Sequence, residues 1–235
     1  MASTVSPSEV ARFDALAAAW WDPDGPMRPL HRMNPARIGW IVDRIARRFP
    51  DPGFVRVLDI GCGAGLAAEA LARRGYDVLG LDAAGETIAA AEAHAAGAGL
   101  RLAYRTGAPE DLAAEGLRFP VVTALEVIEH VPEPATFART LAALVQPGGM
   151  VFLSTLNRTA RSFLSAKVGA EYLLRWLPVG THDWWKFLSP VELGTLMRQA
   201  GLRVTDVTGL VPEPLRGGWR TVRDTSVNYM LAAEQ

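Results

Sequence analysis

The chain has 235 residues, 49% of them hydrophobic and 21% charged, a composition that folds around a sizeable core and excludes extended disorder. Lys and Arg number 24 against 25 Asp and Glu, a net charge of −1, so a strongly basic nucleic-acid binder is excluded. A single cysteine, Cys62, rules out an internal disulfide and a zinc site built on several thiolates, and no uncharged apolar run reaches the roughly 18 residues that span a bilayer. Met1 to Arg12 lacks the basic start and apolar core of a secretory signal. A reducing, cytoplasmic setting is the expectation.

In chain order, Ser6-Pro7-Ser8-Glu9 predicts a helix start, with Ser6 as N-cap and Glu9 completing a capping box. Val10, Phe13, Ala17 and Trp20 continue at helical spacing until the stretch from Pro23 to Pro29 breaks the pattern. A second helix is predicted over 36–49, with Ile38, Ile41, Val42 and Ile45 on one face, so that 1–50 reads as a helical cap. Short apolar strands then alternate with helices. Strands are expected at 55–60, 77–81, 100–104, 121–125 and 150–154, and helices at 66–74, 86–96 and 134–145. Phe119-Pro120 leaves the start of the fourth strand open, because proline donates no ladder hydrogen bond. Pro147-Gly148-Gly149 stops the third of these helices. A capping box, Ser189-Pro190-Val191-Glu192, opens another helix that Gly201 closes, and late strands at 202–207 and 226–232 bring the total to seven. The pattern predicts an α/β fold in one domain over 1–235: a mostly parallel seven-stranded sheet with helices on both faces. Residues 156–188 form an irregular insert, longer than an ordinary connection.

The chemistry concentrates in Asp59-Ile60-Gly61-Cys62-Gly63-Ala64-Gly65, between the first strand and its helix. Glycines permit a tight turn and let a ligand approach the backbone closely. The spacing is G-x-G-x-G, whereas the dinucleotide fingerprint needs G-x-G-x-x-G. Asp82 ends the second strand, where an acid accepts hydrogen bonds from ribose hydroxyls. Asp59 decides between ligands. A carboxylate beside the loop repels a pyrophosphate and suits the ammonium and sulfonium of S-adenosylmethionine. An NAD-dependent dehydrogenase is thereby disfavoured, and Cys62 reads as a small loop filler.

Asp-Ile-Gly-Cys-Gly-Ala-Gly, Gly80-Leu81-Asp82 and Leu144-Val145-Gln146-Pro147-Gly148-Gly149 resemble the motifs of class I S-adenosylmethionine-dependent methyltransferases, with their Rossmann-like fold. A closer likeness comes from Trp20-Trp21-Asp22, from 30–37 (Leu-His-Arg-Met-Asn-Pro-Ala-Arg) and from 126–131 (Glu-Val-Ile-Glu-His-Val). Ser154-Thr155-Leu156-Asn157-Arg158, Val168-Gly169-Ala170-Glu171-Tyr172, Gly180-Thr181-His182-Asp183 and Val227-Asn228-Tyr229-Met230 extend it. Together these segments are similar to the O-methyltransferase family of ubiquinone biosynthesis, over nearly the whole chain. The resemblance implies methylation of polyprenyl catechol-type intermediates, with family cofactor contacts falling on Arg37, Gly61, Asp82 and Leu125; Asp59 and Gly63 join them from the loop itself. It also implies metal ligands at Glu126, Glu129 and His130, an oxygen-rich set suited to Mg²⁺.

The spacing of Glu126, Glu129 and His130 would put all three on one side of a helical turn. A phenol must lose its proton before it can attack a methyl group, and three readings of this cluster stay open. It holds a cation that lowers the phenol's pKa, or Glu129 and His130 act directly with His130 as general base, or Glu and His only shape the loop. Over 158–187, apolar side chains fall near one helical face beside Arg158, Arg161, Lys167 and Arg175, which suits either a lid over the site or contact with a membrane surface. The expected partners are a small-molecule polyprenyl phenol, a membrane surface through this segment and other enzymes of the ubiquinone pathway, with no nucleic acid. Methylation of another small hydroxylated metabolite, or non-catalytic nucleotide binding, are the alternatives.

Overall fold

The computed structural model describes residues 4–163, 184–213 and 217–235. Five strands run parallel: β1 (Arg56–Ile60), β2 (Asp77–Asp82), β3 (Leu102–Thr106), β4 (Phe119–Leu125) and β5 (Val145–Leu156). Three more, β6 (Arg203–Glu213), β7 (Gly218–Val222) and β8 (Asn228–Glu234), continue the sheet antiparallel. The strand order is β3-β2-β1-β4-β5-β8-β6-β7. The winding direction reverses between β1 and β4, and in such sheets the crevice beyond the strand carboxyl ends at that reversal receives the ligand.

The sheet has eight strands where the pattern predicted seven. The additional one is β7, an edge strand paired only with β6. Its sequence, Gly-Trp-Arg-Thr-Val, has two exposed polar positions, Arg220 and Thr221, and no continuous apolar run, because an edge strand is not buried on both faces. β4 begins at Phe119, ahead of the proline. Phe119 pairs with Val145 and Val121 with Met150, so 146–149 bulge out of β5 and accommodate Pro120. β5 therefore starts directly after its helix, and the Pro-Gly-Gly segment is a bulge within the strand.

Helices cover both faces. On one side Ile38, Ile41 and Ile45 of α2 (Arg28–Arg48), Leu71 of α3 (Leu66–Ala72) and Ile88 of α4 (Gly85–Ala95) share a core with Val57 and Phe152. On the other, Leu112 of α5 (Pro109–Ala114), Phe137 and Leu141 of α6 (Pro134–Leu144) and Leu193 of α8 (Pro190–Gln199) pack on Leu58 and Val122. A short helical turn, α7 (Ala160–Ser162), follows β5. The Ser189–Glu192 capping box closes reciprocally, Ser189 N–H donating to Glu192 Oε2 at 2.8 Å and Glu192 N–H to Ser189 Oγ at 3.3 Å.

The N-terminal helices depart from their predicted bounds. α1 (Pro7–Asp14) ends early and a 3₁₀ turn (Ala17–Ala19) follows, so the helical spacing does not carry through to Trp20. Ser6 stands at the N-cap but makes no side-chain cap bond; its Oγ pairs with Ser8 Oγ at 3.0 Å. α2 begins at Arg28 and runs through Pro35. Pro29 in its first turn loses no hydrogen bond. The defect at Pro35 is offset by tertiary contacts around it, including Asn34 Nδ2 donating to Leu66 O at 2.8 Å.

Phe152 is fully buried at the sheet centre, its ring edge-to-face with Trp40 at 5.9 Å. Phe152→Ala should lower unfolding free energy by about 3–5 kcal/mol in urea titrations; a loss below about 1 kcal/mol would contradict this packing.

Candidate active site

The glycine loop folds back on the end of β2. Gly61 and Cys62 donate N–H to Leu81 O at 2.7 and 3.2 Å, Gly65 N–H donates to Cys62 O at 3.0 Å, and Gly63 N–H donates to Asp82 Oδ2 at 2.9 Å. Asp82 Oδ1 accepts the N–H of Ala84 at 2.9 Å. These bonds require left-handed backbone at Gly61 (φ 65°), Gly63 (φ 54°) and Gly65 (φ 93°). A Cβ at Gly61 would sit 2.4 Å from Val127, and one at Gly63 would sit 2.2 Å from the Trp20 ring. Trp21 Nε1 donates to Ala64 O at 2.9 Å, so the paired tryptophans brace the loop from outside. Four loop amides are thus committed within the protein. A diphosphate depends on such amides, whereas the carboxylate oxygens of Asp82 keep acceptor capacity for ribose hydroxyls.

Beneath the loop lies a buried charged cluster. Asp59 is 1% exposed and accepts a hydrogen bond from Thr123 Oγ1 at 2.6 Å. Burial pushes its carboxyl up to about 6, against the pull of Thr123 and of the Arg37 charge. Arg37 is also buried; its guanidinium donates to Asn34 Oδ1 at 3.3 Å and lies 3.9 Å from Glu126 Oε1. Glu126 accepts from Ser154 Oγ at 2.6 Å and adopts φ 59°, the single left-handed non-glycine among the described residues. That conformation ends β4, so Glu126, Glu129 and His130 do not share one helical turn, as their spacing had predicted. Only 128–130 form a turn, with His130 N–H on Val127 O at 2.9 Å.

Above the loop opens a cavity of about 240 Å³. Its floor is Gly61, Gly63, Asp82 and Leu125, its far wall Glu126, Glu129 and His130, and its roof the N-terminal segment with Glu9 and Phe13. Glu129 is 4% exposed and its Oε2 has no hydrogen-bond partner; burial and the neighbouring Glu126 charge push its carboxyl up to about 7. His130 Nδ1 pairs with Glu9 Oε2 at 3.0 Å, and the Phe13 ring meets the imidazole edge-on at 5.5 Å. Burial alone would lower the His130 pKa, but the Glu9 contact and the charges of Glu129 and Glu9 outweigh it and raise it.

Of the residues expected to bind the methyl donor, Gly61, Gly63, Asp82 and Leu125 line the cavity, while Arg37 and Asp59 lie in the layer behind it. Among the described residues no three His, Cys, Asp or Glu side chains are arranged to hold a metal ion: Glu126 faces Ser154 and Arg37, and His130 faces Glu9. The Cys62 thiol is buried, which pushes its pKa well up and keeps it protonated. Most of the 156–188 insert lies outside the described residues. At its edges Trp184 Nε1 donates to Thr159 O at 3.1 Å, and Trp185 is 77% exposed.

Comparison with known proteins identifies the family. A family model described as a methyltransferase domain matches residues 30–207. A ubiquinone biosynthesis O-methyltransferase of Azorhizobium caulinodans is 51% identical, covering 99% of this chain and 94% of that protein. One of Methylobacterium nodulans is 52% identical over 100% of this chain and 99% of its own. This chain belongs to the ubiquinone biosynthesis O-methyltransferase family. Membership makes it an S-adenosylmethionine-dependent O-methyltransferase. The fold agrees: magnesium protoporphyrin IX methyltransferase from Synechocystis PCC 6803, solved with bound S-adenosylhomocysteine, superposes with a TM-score of 0.67 at 20% identity, over 96% of this chain and 98% of that one.

Reasoning from sequence missed Glu9, assigned only a capping role, and the bracing of the loop by Trp20 and Trp21. The available signal was the position of Glu9 one turn before Phe13, which places both on one helix face. Thr123 and Ser154, the partners of Asp59 and Glu126, gave no local signal.

The Asp59 shift has a sign. Its folded value of about 6 exceeds the ordinary 3.8, so the folded protein keeps a proton that the unfolded chain releases. Stability should fall as pH rises from about 4 to about 6 and level above that, by on the order of 3 kcal/mol. Urea titrations across that window should show a shallower decline for Asp59→Asn than for the wild type; parallel declines would contradict the assignment.

Proposed function

We propose that the protein methylates a phenolic oxygen of polyprenyl catechol-type intermediates of ubiquinone biosynthesis, of the 2-polyprenyl-6-hydroxyphenol and 3-demethylubiquinol kinds. The supporting observation is that Glu129 and His130 open on the same cavity as Gly61, Gly63 and Asp82. S-adenosylmethionine, when bound, supplies a methyl group on a positively charged sulfur for direct displacement by the phenolic oxygen, leaving S-adenosylhomocysteine.

The protein's residues supply approach, alignment and proton transfer. Gly61 and Gly63 allow close contact with the backbone, and Asp82 accepts ribose hydroxyls. Val10, Phe13 and Leu16 line the roof and keep water from the reacting centre. A phenol with pKa near 10 is ionised to about one part in a thousand at pH 7, a handicap of roughly 4 kcal/mol. The Glu129–His130 pair receives that proton. A carboxyl pushed up to about 7 is matched to proton exchange near neutral pH.

A second reading, Mg²⁺ held by Glu126, Glu129 and His130, draws on the partnerless buried Glu129 Oε2, an atom a cation would satisfy while lowering the phenol's pKa; it requires Glu126 and His130 to turn from Ser154 and Glu9. The sequence of segment 158–187 fits collection of a prenylated substrate from a membrane surface, with Trp185 exposed at its described end and Arg158, Arg161, Lys167 and Arg175 in its sequence; contact with other pathway enzymes belongs to the same proposal. Among the described residues no helix is long and apolar enough to cross a membrane.

With labelled S-adenosylmethionine and a short-chain prenyl catechol, the protein should release methylated catechol and S-adenosylhomocysteine in equal amounts. Turnover confined to other hydroxylated metabolites would overturn the substrate assignment, and no turnover on any acceptor would point to non-catalytic binding. The Mg²⁺ reading predicts loss of turnover in EDTA and its return with Mg²⁺; full turnover in chelator leaves the proton to Glu129 and His130 alone.

A further inference from the structure

We infer that Glu9 is a positioning residue for His130: its carboxylate, carried over the cavity by α1, anchors Nδ1 and turns the rest of the imidazole toward the bound substrate. The inference rests on the proposed role of His130. Glu9 Oε2 lies 3.0 Å from His130 Nδ1, an ion-pair contact short of full hydrogen-bond alignment that leaves this buried oxygen without another hydrogen-bond donor, and Arg12 on the same helix stands 3.6 Å from it; such contacts tighten when a site is filled. Phe13, one turn further along α1, meets the ring edge-on at 5.5 Å and blocks its rotation on that side. Both Glu9 and His130 line the cavity. With Nδ1 engaged, Nε2 is the nitrogen left for the substrate side, whether it takes a proton or joins a cation site. A carboxylate on the far ring nitrogen fixes which nitrogen faces the chemistry and how the ring is oriented.

The anchor comes from a different layer than the ring. Asp14 holds the other end of α1, its Oδ1 accepting from Thr87 N–H at 3.2 Å and Thr87 Oγ1 at 3.3 Å. Thr4 Oγ1 donates to Glu110 Oε1 at 2.6 Å. α1 is therefore tied down on both sides of Glu9, and the imidazole takes up its working orientation only when this cap is seated.

The test uses Glu9→Ala, Glu9→Gln and His130→Ala in the full chain, with labelled-methyl transfer, calorimetric binding of S-adenosylmethionine and ¹⁵N histidine spectra. Glu9→Ala should lower kcat about 10- to 100-fold, part of what a positioned proton acceptor supplies, with donor affinity changed less than about twofold. Glu9→Gln, whose amide oxygen still accepts from Nδ1–H, should recover most of the loss. The protected Nδ1–H signal of His130 should be present in the wild type and Glu9→Gln and absent in Glu9→Ala. Adding Glu9→Ala to His130→Ala should cost nothing further, because Glu9 acts through the ring. Wild-type kcat in Glu9→Ala, an unchanged Nδ1–H signal, or additive losses in the double variant would each overturn the inference. Should Glu9→Ala instead fail to fold, the inference stands or falls on whether Glu9→Gln keeps the Nδ1–H signal. That signal is read without turnover, so its absence in the wild type refutes the positioning role, whereas a present signal without methylated catechol refutes the proposed reaction.

Discussion

The hydrogen bond from Gly63 N–H to Asp82 governs this molecule. It joins the loop after β1 to the end of β2 and consumes an amide that a diphosphate would need. The same carboxylate accepts from Ala84 and so also sets the chain leaving β2. A charged acceptor on backbone N–H makes a stronger bond than a neutral one, and burial in the crevice shields this one from water. The three glycines exist for this closure: their left-handed backbone and the near contacts of Val127 and Trp20 leave no room for side chains.

Around that closure the protein builds in layers. The sheet supplies strand ends at the winding reversal between β1 and β4. Behind the loop, Asp59 and Arg37 form a buried charged layer beside the half-buried Glu126, and Asp59 Oδ2 and Arg37 Nε have no hydrogen-bond partner. Removing one member of such a cluster leaves an uncompensated charge, which costs more than the pair contributes. In front, the N-terminal cap closes the cavity with apolar side chains and one acid, Glu9. The cavity is thus lined by segments that run from the N-terminal cap to the start of α6, and His130 faces the cap through Glu9.

The inner parallel strands were legible because strands buried on both faces must be apolar throughout; Val57, Leu58 and Ile60 announce β1 unaided. The place of Gly61, Gly63 and Asp82 at the cavity was legible because loop closure restricts residue types so narrowly, whereas Leu125 came only from the family resemblance. β7 was not, since an edge strand obeys no strict pattern. The bounds of α1 and α2 were not, because tertiary contacts at Asn34 and Trp20 override the local preferences of Pro35 and the Ala-rich segment. Arg37 and Asp59 carried chemistry legible as charge but not as depth: sequence cannot say that both lie behind the cavity wall. The pairing of Glu9 with His130 joins residues remote in the chain, and nothing local records it.

The closed loop receives a sulfonium methyl donor and not a diphosphate-bridged coenzyme. Calorimetry of the intact protein against S-adenosylmethionine and NADH, in separate titrations under one buffer, tests it directly. S-adenosylmethionine should bind saturably and one-to-one, and NADH should give no measurable heat. Saturable binding of NADH, with none for S-adenosylmethionine, would contradict it.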